Sequence, residues 1–129
     1  MREVKAAAVQ MRCVSDAASN LQTAERLIRQ AAAEGAQIIL LPELFERPYF
    51  CQERQYGYYQ YAQPAEENAA VARLSALARE LRVVLPVSFY ERDGNCLYNS
   101  AAILDADGSL LGVYRKTHIP DDHYYQEKF

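Results

Sequence analysis

Apolar positions along the 129-residue chain change their spacing several times, and each change marks an element. Val4 to Met11 (VKAAAVQM) is apolar enough for an interior strand. Gln37 to Leu41 (QIILL) is continuously apolar, as a strand covered on both faces is. Between them, Leu21, Ala24, Leu27, Ile28, Ala31 and Ala32 recur at three- and four-residue steps, which is the stripe of one helix face. Ser15 or Asp16 can cap that helix, since a side-chain oxygen there accepts from free backbone N–H groups. Gly35 follows where a left-handed residue closes a helix. Strand, helix and strand with short joints predict a βαβ unit with parallel strands and a right-handed crossover.

Pro42 ends the second strand, and Pro42 to Gln63 reads as loop, rich in tyrosine (Tyr49, Tyr56, Tyr58, Tyr59, Tyr61). Pro64 suits the first position of a second helix, with Glu66 and Glu67 near its positive end. Val71, Leu74, Leu77, Ala78 and Leu81 form that helix's apolar face. Val83 to Tyr90, Leu97 to Leu104 and Ser109 to Lys116 then read as three strands of a meander. The turn Asp93-Gly94-Asn95 and the segment Asp105 to Gly108 join them. Pro86 inside a strand predicts a bulge or a partly unpaired position. The sum is one layered α/β unit of about five strands and two helices, without repeats, low-complexity tracts or linkers.

Half of the residues are hydrophobic, 24% are charged and the formal net charge is −3, the balance of an ordinary globular domain. With no Lys/Arg run longer than a pair, nucleic acid is not an expected partner. No apolar run approaches a bilayer span, so no membrane is expected. The start, MREVKAAAVQM, lacks the features of a secretory signal, and a cytoplasmic location is expected. Cys13, Cys51 and Cys96 form no C-x-x-C pair and read as small buried hydrophobes. His118 and His123 make half a zinc site at most, so no metal is expected.

Open α/β sheets keep their chemistry at the carboxyl ends of strands. Two charged residues occupy such ends. Glu43 follows QIILLP, where partial desolvation suits a general base, and Lys116 ends the last meander strand, where a fixed cation suits a developing oxyanion. Taken singly, each also fits a solvated loop or strand end.

The segments LPELF (Leu41 to Phe45) and YRKTHIP (Tyr114 to Pro120), in this order, resemble the nitrilase superfamily of carbon–nitrogen hydrolases, and the resemblance runs from Val4 to Phe129. It implies an αββα sandwich of which these residues form the N-terminal part. It implies that Glu43 is the general base and that Lys116 stabilises the tetrahedral intermediate. QEKF (Gln126 to Phe129) resembles a segment that supplies a second active-site glutamate in related carbamoyl amidases, here Glu127. The superfamily's nucleophile is a cysteine in a later strand–loop motif, and none of Cys13, Cys51 and Cys96 has that context. Residues 1–129 are therefore expected to be a single incomplete hydrolase domain, inactive alone.

Within the superfamily, LPELFERPYFCQ is similar to amidases of carbamoylated amines, which implies a small-molecule carbamoyl amine substrate. The cationic far end of a carbamoylated diamine calls for carboxylates or aromatic faces. Candidates are Asp122 (beside Asp121), Tyr49, Tyr58 with its neighbours Tyr56 and Tyr59, and His118. A carboxylate-bearing substrate would call instead for arginine, and Arg47 and Arg54 keep that alternative open. The resemblance also implies a homo-oligomer. A reading of another class, a non-catalytic α/β module, would leave apolar strands without partners.

Overall fold

The computed structural model describes residues 3–53 and 55–120. Its elements are β1 (Ala6–Ala8), α1 (Ala17–Ala33), β2 (Ile38–Leu40), α2 (Ala69–Leu81), β3 (Leu85–Asp93), β4 (Cys96–Leu104) and β5 (Leu110–Arg115). Two short 3-10 helices, Phe50–Gln52 and Tyr56–Tyr61, lie in the tyrosine-rich segment that the sequence reads as loop.

β1 and β2 pair in parallel, and the α1 crossover between them realises the expected βαβ unit. Both strands are shorter than their apolar runs, and Pro42 follows β2 two residues after its last pairing position. Asp16, rather than Ser15, caps α1: its carboxylate accepts from the Ser19 amide at 2.9 Å. Gly35 takes φ +89° just past the helix.

The second helix corrects the reading that Pro64 opens it. α2 begins five residues later, where the Asn68 side chain accepts from the Val71 amide at 2.9 Å. Pro64 sits in the turn before it, its carbonyl accepting from Glu67, so Glu66 and Glu67 precede the helix and do not load its first turn. A side-chain cap satisfies an orphan donor, which a proline at that position does not.

β3, β4 and β5 form the antiparallel meander. A parallel bridge between Ile38 and Val84 joins β2 to the start of β3, so the five strands run side by side in the order β1-β2-β3-β4-β5. Pro86 pairs with Ile103 in unbroken register, and the irregularity falls instead between Ile103 and Leu104, against β5. On its other edge the backbone is bonded at Val84, just before β3, and at Tyr90 and Arg92 within it. Pro86, two residues past Val84, has no N–H to carry the β2 pairing on, and on that side it is the partly unpaired position that the sequence predicts.

Both helices cover one face of this sheet. Ile39, Leu85, Val87, Phe89, Ala102 and Leu104 pack there against Ile28 of α1 and Leu74 and Leu77 of α2. Full burial of such side chains contributes about 1.5–3 kcal/mol each. The opposite face is not covered among the described residues: Ile38 and Leu40, which flank the buried Ile39 in β2, are 38% and 50% exposed. This departs from the two-sided cover that QIILL predicts. Among the described residues no helix is long and apolar enough to cross a membrane.

The turn from β4 to β5 is docked on α2. Ser75 Oγ donates to the Gly108 carbonyl at 2.6 Å and Arg79 Nε to that of Asp107 at 2.7 Å. Gly108 has φ +83°, and a Cβ there would stand 2.7 Å from the Ser75 carbonyl oxygen, so the approach requires glycine. This contact fixes where β5 starts and hence where its far end delivers Lys116.

Candidate active site

β2 and β5 run in the same direction, and their carboxyl ends bring Glu43 and Lys116 together on the uncovered face of the sheet. Lys116 Nζ donates to Glu43 Oε1 at 2.8 Å. Asn99, on the antiparallel β4 between them, donates from Nδ2 to the same oxygen at 2.6 Å. Its backbone carbonyl accepts from the Lys116 amide at 2.8 Å, which carries the ladder one residue past β5. These three residues, with Leu40, Leu41, Ser88, Ala101 and Tyr114, line an open cleft of about 250 Å³.

Glu43 keeps 44% of its side chain exposed and Lys116 28%. Desolvation of Glu43 is therefore modest, less than a residue at the core edge suggests, and its placement depends on the turn that carries it. Glu43 to Glu46 form that turn, with Leu44 in the left-handed region at φ +51°. A leucine there is strained by roughly 1–2 kcal/mol, and such strain persists where surrounding contacts over-determine it. Here they do. Leu44 and Phe45 are buried, and the Leu44 amide donates to Ser88 Oγ at 2.9 Å. Asn20, itself buried, donates to the Glu46 carbonyl at 3.0 Å while also gripping Val14, and Asn68 donates to the Glu46 carboxylate at 3.0 Å. The turn thus hangs from the start of both helices. Burial pushes the Glu46 carboxyl above the usual carboxylate range, with Asn68 and Arg47 pulling the other way.

The end of β5 is pinned from its other face. Arg115 forks onto buried Glu91 at 2.7 and 2.9 Å, reaches Asp93 at 2.7 Å, and lies 4.0 Å over the Tyr98 ring. Ser100 Oγ donates to the same Glu91 carboxylate at 2.5 Å. Because successive strand residues face opposite ways, a fixed Arg115 aims Lys116 at the cleft.

The other sequence candidates among the described residues do not line this cleft. His118 is exposed two residues beyond Lys116 and does not line it. Tyr49 and Tyr58 line a separate cavity of about 230 Å³ with Arg47, Phe50, Glu53 and Tyr61. The Tyr58 hydroxyl donates to Glu53, its ring stacks with that of Tyr61 at 5.7 Å, and Arg47 lies 4.6 Å over the Tyr61 ring. Cys51 is buried as expected, Cys13 is half-buried, and Cys96 is exposed, against the expectation of burial. None of the three lines the cleft. Arg54, Asp122, His123 and Glu127 lie outside the described residues. Sequence reasoning missed Asn99, Ser88 and the strained Leu44. The available signal was Asn99 itself, a poor strand former inside an otherwise strand-like run.

The carbon-nitrogen hydrolase family model matches residues 5–129. The chain is similar to the N-carbamoylputrescine amidase of Oryza sativa subsp. japonica, with 53% identity over 127 residues, 98% of this chain and 42% of that protein. It is also similar to the citrullinase of Francisella tularensis subsp. tularensis, 48% identical over 129 residues, 100% of this chain and 45% of that one. A crystal structure of a carbon-nitrogen hydrolase from Helicobacter pylori G27 superposes with a TM-score of 0.88 at 32% identity, covering 97% of this chain and 43% of that one. The chain thus spans less than half the length of the curated relatives it matches.

Proposed function

The chain belongs to the carbon-nitrogen hydrolase family, and from that premise we propose that the full-length protein is an N-carbamoylputrescine amidase. It cleaves the terminal ureido group with one water to give putrescine, ammonia and carbon dioxide. The observation that carries the chemistry is the 2.8 Å pairing of Glu43 with Lys116 at the carboxyl ends of β2 and β5. The choice of substrate is supported by identities of 51–53% to the N-carbamoylputrescine amidases of four plants.

In this reading a thiolate attacks the carbamoyl carbon, and Glu43 takes the proton that leaves the sulfur. Lys116 holds the oxyanion of the tetrahedral intermediate. Glu43 returns the proton to the departing nitrogen and then activates water to release the carbamoyl group. Glu127 orients Lys116 and the substrate. Since no cysteine of these 129 residues lines the cleft, the thiolate belongs to the rest of the full-length protein. Residues 1–129 are then one part of a sandwich domain whose second part covers Ile38, Leu40 and the rest of the open face. The same reading includes a cytoplasmic homo-oligomer working without a metal or organic cofactor, with Asp122, His118, Tyr49 and Tyr58 as candidates for holding the amine end.

A second reading has one observation in its favour. The similarity to a citrullinase, together with Arg47 in the tyrosine-lined cavity, fits a carbamoyl substrate that carries a carboxylate. Ammonia release by the purified full-length protein from N-carbamoylputrescine, citrulline and N-carbamoyl-β-alanine separates the two. Fastest turnover of N-carbamoylputrescine supports the first reading, and preference for either acid replaces it with the second.

A further inference from the structure

We propose that Asn99 is a positioning residue for the Glu43 carboxylate: together with Lys116 it occupies Oε1, so that Oε2 is the oxygen that receives the proton. The inference rests on the reading of Glu43 as the base. Both described donors to Glu43 reach the same oxygen, Asn99 Nδ2 at 2.6 Å and Lys116 Nζ at 2.8 Å. Among the described residues Oε2 accepts no hydrogen bond. A carboxylate only accepts, so the Asn99 amide must present its NH₂ side, and the assignment of its nitrogen follows from chemistry.

The two donors differ in what happens when the proton arrives. As the thiol S–H bond breaks and the Oε2–H bond forms, Glu43 becomes neutral and its Coulomb attraction for Lys116 falls away. That frees the Lys116 charge for the oxyanion, but it would also let the Glu43 carboxyl turn. The Asn99 amide is neutral, and its bond to Oε1 needs no charge on the partner. With the proton on Oε2, Oε1 is a carbonyl-type acceptor, and Asn99 still holds it. The carboxyl is then in place both to hand its proton to the departing nitrogen and to accept one from water in the second half.

Position and residue type agree with this role. Asn99 faces the open side of β4, where a β-branched or aromatic residue would serve the sheet better. Its own carbonyl holds the Lys116 amide at 2.8 Å, so one residue sets both members of the pair.

The test uses Asn99→Ala and the isosteric Asn99→Asp in the full-length enzyme, with melting temperatures measured beside kinetics on N-carbamoylputrescine. Loss of a hydrogen bond to a charged group predicts a fall in kcat of roughly 10- to 100-fold, while KM moves within about threefold. Asn99→Asp, which keeps the size but removes the donor and adds a like charge, falls at least as far. Retention of kcat within about threefold by either folded variant, or a loss that merely tracks melting temperature, overturns the proposal. A crystal structure of Asn99→Asp gives a readout independent of substrate: a carboxyl of Glu43 turned away from its wild-type plane supports positioning, and an unmoved one refutes it. If wild-type enzyme turns over no carbamoyl compound, the proposed reaction fails by itself, and the structure still decides the role of Asn99.

Discussion

Lys116 Nζ donates to Glu43 Oε1 across 2.8 Å, joining residues 73 positions apart in the chain. With 28% and 44% of the two side chains exposed, this is a partly solvated ion pair, and pairs of that kind contribute about 0–1 kcal/mol to stability. A pair that contributes so little to folding suits chemistry better than stability. Lys116→Met and Glu43→Gln in the full-length protein should therefore melt close to wild type. Each should reduce ammonia release by roughly 100-fold or more. Paired melting curves and turnover measurements check this, and a variant that keeps wild-type turnover refutes the assigned role.

Ser88 acts through the backbone next to the base. Its hydroxyl accepts the amide of Leu44, the residue held at φ +51°. Ser88→Ala leaves that N–H without its partner beside a buried side chain, which should cost about 1–3 kcal/mol and lower turnover by loosening the turn under Glu43. Ser88→Thr keeps the acceptor and should lose less of both. Urea denaturation of the two variants tests the ranking, and equal losses would show that the hydroxyl bond is not what matters.

The Arg115–Glu91 fork gives a dependence on pH. Arg115's donors hold the Glu91 carboxyl below the usual carboxylate range, against the raising effect of burial and with help from Ser100. A depressed carboxylate contributes stability above the ordinary range and loses it as pH falls through the depressed value. Arg115→Met should lower stability at neutral pH, by less than the loss of a fully buried pair because Arg115 is 39% exposed. That deficit should shrink on acidification, as Glu91 of the variant takes up a proton. Denaturation midpoints at neutral pH and below the carboxylate range measure it, and a deficit that grows in acid would reverse the sign.

Among the described residues the spacing of apolar residues located the five strands and both α-helices, because burying one face imposes its period directly on the sequence, but not the two 3-10 helices of the tyrosine-rich segment. Ends were harder. Pro64 has the right geometry for a helix start, but Asn68 offers the Val71 amide an oxygen, and that local bond decided the boundary. Pro86 suggested a bulge or a partly unpaired position; the β3–β4 register contains no bulge there, and the unpaired side faces β2, since the effect of a missing N–H depends on which edge it faces. Glu43 and Lys116 were visible because both follow apolar strands. Asn99 stood out only as a poor strand former within its run, and nothing local says that its amide turns to Glu43, 56 residues away, rather than to water. The left-handed turn at Leu44 had no signal either, since neither glycine nor asparagine marks it.

Asn68 does two jobs that substitution can separate. Its oxygen caps α2 by accepting from Val71, and its amide donates to Glu46. Asn68→Ala should lose both at every pH, with the cap alone worth about 1 kcal/mol. Asn68→Asp keeps a capping oxygen but replaces the donor with a second negative charge beside Glu46. Burial already raises the Glu46 carboxyl above its usual range, so its ionised form is the disfavoured one in the fold. Such a group costs stability as pH rises from the ordinary carboxylate range through the raised value. Asn68→Asp should widen that cost, losing about 1–3 kcal/mol at neutral pH and recovering on acidification as Glu46 becomes protonated. Adding Glu46→Gln should restore most of the loss, because glutamine can donate to the new aspartate. Chemical denaturation of the single and double variants across pH tests the argument. An Asn68→Asp deficit that is flat with pH and unmoved by Glu46→Gln would mean that the two side chains are not coupled, and that the Glu43 turn is held by Asn20 and Ser88 alone.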